Sequence, residues 1–202
     1  MEAALERSLV FTGFMGAGKT TAAAGAARRL GAGALDADAL LEERLGEPID
    51  AFFAREGEAA FRAREEELVL ELLRRPPAVI ALGGGALGSA QVREALGAHV
   101  VVLLEVALET AWSRASGTNR PLARDRDAFD ALYAAREAVY RATADAILPS
   151  SAALGHALGA LAQMAGGEAP GLRLLWATSA SGDYPVWVGP GAGSGTAPWP
   201  LP

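Results

Sequence analysis

Cysteine is absent from this 202-residue chain, so there is no disulfide frame and no thiolate metal site, as suits a reducing compartment. Lysine occurs once, at position 19, against 17 arginines. The two histidines, His99 and His156, fall in an apolar strand-like run and an Ala/Leu-rich helical run. Neither has a second ligand or base at motif spacing, so both read as structural. Long apolar runs are missing too: none reaches the roughly 18 to 20 residues of a membrane span. The opening MEAALERSLVFTG matches neither a secretory signal nor a transit peptide. These absences lead us to expect a cytoplasmic protein without a membrane partner. Positive charge is also short: the formal net charge of −6 argues against a nucleic-acid surface. Any anion must therefore be held by a local cluster.

What is present fits one globular domain with an appendage, with 51% hydrophobic residues to fill a core. Apolar runs alternate with longer amphipathic segments: SLVFTG, then a helix over 19–30; GALDAD, then helical material to about Leu73; AVIALGGG, then 89–96; HVVVLLEV, then 107–115; DAILPS, then 151–165. Strands too apolar to have a wet face, separated by helices, predict an α/β fold with a parallel sheet flanked by helices. Ligands in such sheets bind beyond the strands' carboxyl ends, so the loops at 13–18, 36–38 and 83–88 are expected to meet. The polar, basic stretch SGTNRPLARDRD, 116–127, interrupts the alternation between two helices. From about Gly166 the composition shifts: residues 166–202 hold 14 Gly or Pro, three charged residues and three of the four tryptophans. This tail reads as a separate segment and not as another βα unit, with a hairpin over 172–191.

The lone lysine lies in GFMGAGKT, Gly13 to Thr20, which satisfies G-x-x-x-x-G-K-[ST] between a β-run and a helix. Glycines let backbone N–H groups wrap phosphates, and the following helix aims its positive end at the same anion. Lys19 suits the β/γ-phosphates because an ammonium is a compact point charge on a thin stem, whereas a guanidinium is broad and seeks bidentate partners. Thr20 offers a hydroxyl to Mg²⁺. Nucleotide binding follows from this motif; the acceptor does not.

Three further features bear on the acceptor. In LDADAL, Asp36 and Asp38 are two apart at a strand's end, where extended backbone would point both carboxylates into one cleft; helix capping is the plainer alternative. In FRAREEE, Arg62 has Glu65 and Glu66 three and four residues on, so a carboxylate on the same helix face can steer the guanidinium. In LGGGAL, three glycines after the strand AVIA permit close approach of a ligand to backbone.

Together with the RPL of TNRPLA and the late arginine of AREAVY, these features resemble the shikimate kinase family in order and approximate spacing over residues 7–165. The resemblance implies a P-loop NTPase-type fold like that of the nucleoside-monophosphate kinases. It implies ATP-dependent phosphorylation of shikimate at its 3-hydroxyl, with Mg²⁺ as cofactor and ATP as co-substrate. Carried over by position, Gly13, Gly16, Ala17, Gly18, Lys19, Thr20 and Thr21 would bind ATP, with Arg114 flanking adenine and Arg120 closing over the phosphates from a lid. Thr20 and Asp36 would serve the metal. Asp38 would bind substrate hydroxyls and position the nucleophile; Arg62 and Arg136 would clamp the carboxylate, with Glu65 steering Arg62 and Gly83, Gly84 and Gly85 giving backbone contacts. Lys19, Asp38 and Arg120 would be the catalytic set.

Arg124 and Arg126 compete with Arg120 for the phosphate contact, and Arg141 shares a helix with Arg136. Alternatives of the same architecture, such as a gluconate kinase, and a non-catalytic nucleotide-binding module stay open. A monomer is expected. The tail's YPVWVGPG looks like the opening of 3-dehydroquinate synthase, which implies a kinase–synthase fusion; the alternative is an unrelated tail whose exposed Trp176, Trp187 and Trp199 form a contact surface.

Overall fold

A computed structural model describes residues 5–116, 123, 125–167, 169, 171–179 and 182–190. The elements run β1 (Leu9–Thr12), α1 (Lys19–Leu30), β2 (Ala34–Asp36), α2 (Ala37–Leu45), α3 (Ile49–Leu73), β3 (Val79–Ala81) and α4 (Ala90–Leu96). They continue β4 (Val100–Leu104), α5 (Leu108–Ala115), α6 (Arg126–Thr143), β5 (Ala146–Leu148), α7 (Leu154–Ala165), β6 (Arg173–Ser179) and β7 (Gly182–Val188). One sheet carries all seven strands in the order β2-β3-β1-β4-β5-β6-β7. Its first six strands pair in parallel and β7 closes the edge antiparallel to β6.

The inner strands have no wet face because helices cover both sides. Every residue of β1, β3, β4 and β5 is buried, which is why they appear in the sequence as continuous apolar runs. Burying a Val, Leu or Ile side chain contributes about 1.5–3 kcal/mol, so the LVFT and VVVLL cores dominate the hydrophobic stabilisation of the sheet's centre. The helices fall where the alternation places them, and α1 is bounded by left-handed glycines, Gly18 and Gly31. Helix α3 is broken at Gly57 (φ 83°), which separates its first turns from the stretch carrying Arg62 and Glu65.

The tail departs from expectation. Strand β6 pairs in parallel with β5, Ala146 opposite Leu174 and Ile147 opposite Leu175, so β5, α7 and β6 form one more βαβ unit. The hairpin itself forms as expected, Trp176 facing Pro185 across it. Its tryptophans are not an exposed surface: Trp176 and Trp187, on the same face as Leu174, are buried, because that face joins the core. Leu175, Tyr184, Val186 and Val188 are the exposed large apolar residues instead. Trp199 lies outside the described residues.

Parallel register aligns the carboxyl ends. Phe11 and Asp36 are both level with Ala81, and Thr12 with Leu103. The loops following β1, β2 and β3 therefore emerge side by side, as Asp36–Asp38 and the two glycine loops require.

Candidate active site

The phosphate loop is shaped by close packing. Gly13 has φ 141°, and a β-carbon there would stand 2.4 Å from the carbonyl oxygen of Leu104, so both backbone angle and space demand glycine. Lys19 opens α1, and its Nζ donates to the carbonyls of Gly13 (2.9 Å) and Phe14 (3.2 Å), folding the ammonium back across the loop. Ala17 is buried, and its N–H donates to the Phe14 carbonyl. Thr20 and Thr21 are exposed in the helix's first turn. Arg114, from α5, donates from Nη1 to the Gly16 carbonyl at 2.7 Å, which fixes that side chain beside the loop. A helix N-terminus with a lysine curled over it is an anion cradle.

Asp36 and Asp38 do not share the face of a strand. Asp36 ends β2 as the N-cap of α2, its Oδ1 accepting from the N–H groups of Asp38 (3.0 Å) and Ala39 (3.1 Å). Helical backbone begins at Ala37, so Asp38 projects from a first helical turn and not from an extended chain. It nonetheless reaches the glycine loop: a β-carbon on Gly83 would lie 2.7 Å from Asp38 Oδ1 and 2.4 Å from Glu65 Oε1.

The same loop meets both arginines. A β-carbon on Gly85 would lie 2.0 Å from Arg62 Nη1. The Gly84 carbonyl accepts from Arg136 Nη1 at 2.9 Å and from the Tyr140 hydroxyl. Gly83 and Gly85 are thus needed because carboxylates press on the first and a guanidinium on the second. Phe14 ties this half to the phosphate loop: the Arg136 guanidinium lies 5.9 Å from its ring centroid.

The charges are unequally matched. Arg62 binds Glu65 Oε2 at 2.6 Å and Glu58 Oε1 at 3.2 Å, and lies 4.9 Å from the Phe61 ring centroid. Glu65 is only 4% exposed, and burial pushes its carboxyl up against the opposing pull of Arg62. Asp38 pushes the same way as burial and Arg136 opposes it, so these four groups form one electrostatic unit. Arg136 meets a carbonyl and an aromatic face, and no carboxylate among the described residues pairs with it. Of the two arginines on this loop, it is the one without a carboxylate ion pair among the described residues. Arg62, Arg136, Glu65, Gly84, Gly85 and Tyr140 line a cleft of about 680 Å³.

The other arginines sort themselves by partner. Arg126 pairs with Glu109 and with Asp130 (2.7 Å) and lies 5.4 Å from the Trp112 ring centroid, clamping α5 to α6, so it does not compete for phosphate. Arg141 pairs with Glu105 and Glu137, which separates it from Arg136 on the same helix. Arg120 and Arg124 lie outside the described residues. Both histidines stand apart from this cleft: His99 is depressed below its usual range by burial, and His156 lies 3.4 Å from Asp183 of β7.

Comparison with known proteins is in line with this geometry. The "Shikimate kinase" family model matches residues 15–158. The chain belongs to the shikimate kinase family. A shikimate kinase of Mycobacterium avium is 44% identical over 139 residues, 67% of this chain and 79% of that one. A shikimate kinase of Thermobifida fusca is 42% identical over 145 residues, 70% of this chain and 84% of that one. Among solved structures, a shikimate kinase from Acinetobacter baumannii in complex with shikimate is 33% identical with a TM-score of 0.72, covering 78% of this chain and 92% of that one. The family match stops short of β6 and β7.

Sequence reasoning missed three residues: Glu58 and Tyr140, which line this cleft, and Phe14, which lies against Arg136. Glu58 and Tyr140 are each one helical turn from a singled-out arginine, four before Arg62 and four after Arg136, so the i,i+4 rule applied in both directions would have found them. Phe14 occupies a variable position of the phosphate-loop pattern, where the pattern carries no signal.

Proposed function

We propose that this shikimate kinase transfers the γ-phosphoryl group of ATP to the 3-hydroxyl of shikimate, giving shikimate 3-phosphate and ADP. The observation that carries the acceptor is the single glycine loop on which Asp38, Glu65, Arg62 and Arg136 converge beside the phosphate loop. Shikimate is ionised at one end and carries three hydroxyls at the other. Planar cationic donors suit the first and carboxylate acceptors the second.

In this reading Arg136 supplies the uncompensated charge for the carboxylate, and Arg62 supplies a donor held in place by Glu65 and Glu58. Asp38 accepts the hydrogen bond of the attacking hydroxyl and orients its oxygen toward phosphorus. As that oxygen bonds to the γ-phosphorus and its proton passes to Asp38, the bond to the ADP oxygen breaks. Lys19 neutralises charge on the transferring oxygens, and Gly13 to Thr21 cradle the phosphates. Arg120 adds a second cation from the lid, and Arg114 flanks the adenine.

Mg²⁺ belongs to the same proposal. Among the described residues no cluster of three or more acidic or histidine ligands exists. The hydroxyl of Thr20 and the carboxylate of Asp36 suit a hard cation that keeps most of its waters and takes further oxygens from the nucleotide. When bound, it would offset the negative charge that develops on the phosphate oxygens. A cytoplasmic monomer is part of the reading; among the described residues no helix is long and apolar enough to cross a membrane. So is the likeness of YPVWVGPG to the opening of 3-dehydroquinate synthase, which would join a second enzyme after the kinase sheet that β6 and β7 complete.

The test is ADP release from the purified chain with Mg²⁺ and ATP, with shikimate, with gluconate, and with neither. Shikimate-dependent release, with a product heavier than shikimate by one phosphoryl group, supports the proposal. Release with gluconate alone overturns the acceptor, and no release in any arm overturns catalysis.

A further inference from the structure

Gly84 is the point at which the acceptor cleft is held together, and one of the two groups holding it has no part in the chemistry above. Tyr140 sits at the far end of α6, four residues after Arg136 on the same helix face. Its ring is buried at 5% exposure, and its hydroxyl donates to the Gly84 carbonyl that also accepts from Arg136 Nη1. Two side chains of one helix thus converge on a single carbonyl: Arg136 on Gly84 and Tyr140 on Gly84.

This shared carbonyl constrains two things at once. The neighbours of Gly84 on either side are the glycines against which Asp38, Glu65 and Arg62 are pressed, so a shift of the Gly84 carbonyl moves the wall for all three. Arg136 is held through the same oxygen, because its Nη1 donates to the Gly84 carbonyl that Tyr140 also holds, which leaves the remaining donors directed elsewhere. Burial pushes the Tyr140 phenol up to about 12, so it remains a donor across the working range of any enzyme.

We infer that Tyr140 is a positioning residue for the acceptor: its hydroxyl locks the Gly84 carbonyl and the Arg136 guanidinium in the arrangement that receives the substrate carboxylate. It touches no reacting atom, so its effect should fall on acceptor binding and spare nucleotide binding. The inference rests on the proposed acceptor.

The experiment compares wild type with Tyr140→Phe, which keeps the ring and removes only the hydroxyl. Thr143→Val serves as control, because it removes a hydroxyl bonded within α6, to the Val139 carbonyl at 2.8 Å. Tyr140→Phe is expected to raise the KM for shikimate about tenfold, with the KM for ATP unchanged and kcat lowered less than about threefold. Thr143→Val should leave both KM values unchanged. In a double variant with Arg136→Lys the losses should be less than additive, since both act through the same contact.

Equal rises in both KM values, or a shikimate KM within twofold of wild type, would overturn the inference while leaving the proposed function intact. Absence of shikimate-dependent turnover in wild type would overturn the proposed function itself. A readout independent of any variant is the Tyr140 hydroxyl proton in wild type by NMR. Slow exchange with water is expected of a buried donor bonded to Gly84, and fast exchange would sink the idea.

Discussion

Replacing Gly85 by alanine adds one methyl group at a backbone position that alanine tolerates, since φ is −108° and ψ −10°. The new β-carbon would stand 2.0 Å from Arg62 Nη1 and 2.4 Å from its Cζ. Those atoms are the end of a flexible side chain, so the backbone should hold and the guanidinium should leave. Its departure has two consequences. A charge-assisted hydrogen bond to the acceptor is worth about 1.5–3 kcal/mol, which corresponds to a rise of about 10- to 150-fold in the KM for shikimate. Glu65, almost fully buried, also loses its 2.6 Å partner, and stability should fall by about 1–3 kcal/mol.

Steady-state kinetics with each substrate varied, together with thermal unfolding, measures both effects. Gly88→Ala adds the same methyl group three residues on, where nothing lies within 4 Å, and should change neither quantity. A Gly85→Ala enzyme with a shikimate KM within twofold of wild type would refute the argument that this glycine exists to make room for Arg62.

Lys19→Met and Asp38→Asn should each reduce turnover to background while leaving the unfolding midpoint within a few degrees of wild type; a wild-type-like rate in either would remove the mechanism. Arg136→Lys should raise the KM for shikimate more than that for ATP, because an ammonium cannot reproduce a planar fork. Trp176→Ala, deep in the face that β6 turns to the core, should lower stability by about 3–5 kcal/mol in chemical denaturation without changing the KM for shikimate. His99 has a folded-state pKa below its usual 6.5, burial being the main cause, with the nearby Arg7 charge acting in the same direction. The unfolded chain therefore takes that proton first. The associated stability is present above about pH 6.5 and is lost as pH falls toward the folded value, so His99→Gln should lose less stability between pH 7 and pH 5 than wild type.

Helices and inner strands were readable because local sequence and tertiary context agree there. VVVLL is apolar because both faces of β4 are covered, and α1 begins and ends at glycines that stand just outside it. The phosphate loop was readable because its glycines and lysine serve an anion and not the core. Where the sequence misled, a local rule met a nonlocal outcome. The D-x-D spacing would share a face only if the strand continued, but it stops at Asp36, whose cap starts a helix one residue on. The tail's alternating Leu174 and Trp176 announced strands, yet their membership of the main sheet depends on β5 and α7, which no local pattern reports. The reason for Gly83 and Gly85 was likewise hidden, because the side chains that need the space come from α2 and α3, some 20 to 45 residues earlier.

The two acceptor arginines show why residue type alone does not assign a role. Both are guanidiniums on helices beside the same loop, yet one is neutralised by two glutamates and the other by none among the described residues. On the proposed reading Arg62 contributes geometry: its charge is already balanced, so an incoming carboxylate gains a fixed donor but little net attraction. Arg136 contributes net charge, and its field is what distinguishes an acidic acceptor from a neutral polyol carrying the same hydroxyls. Discrimination against the neutral molecule should therefore reside mainly at Arg136. Correct placement of the hydroxyl before Asp38 should depend on Arg62 and on the glutamates that hold it.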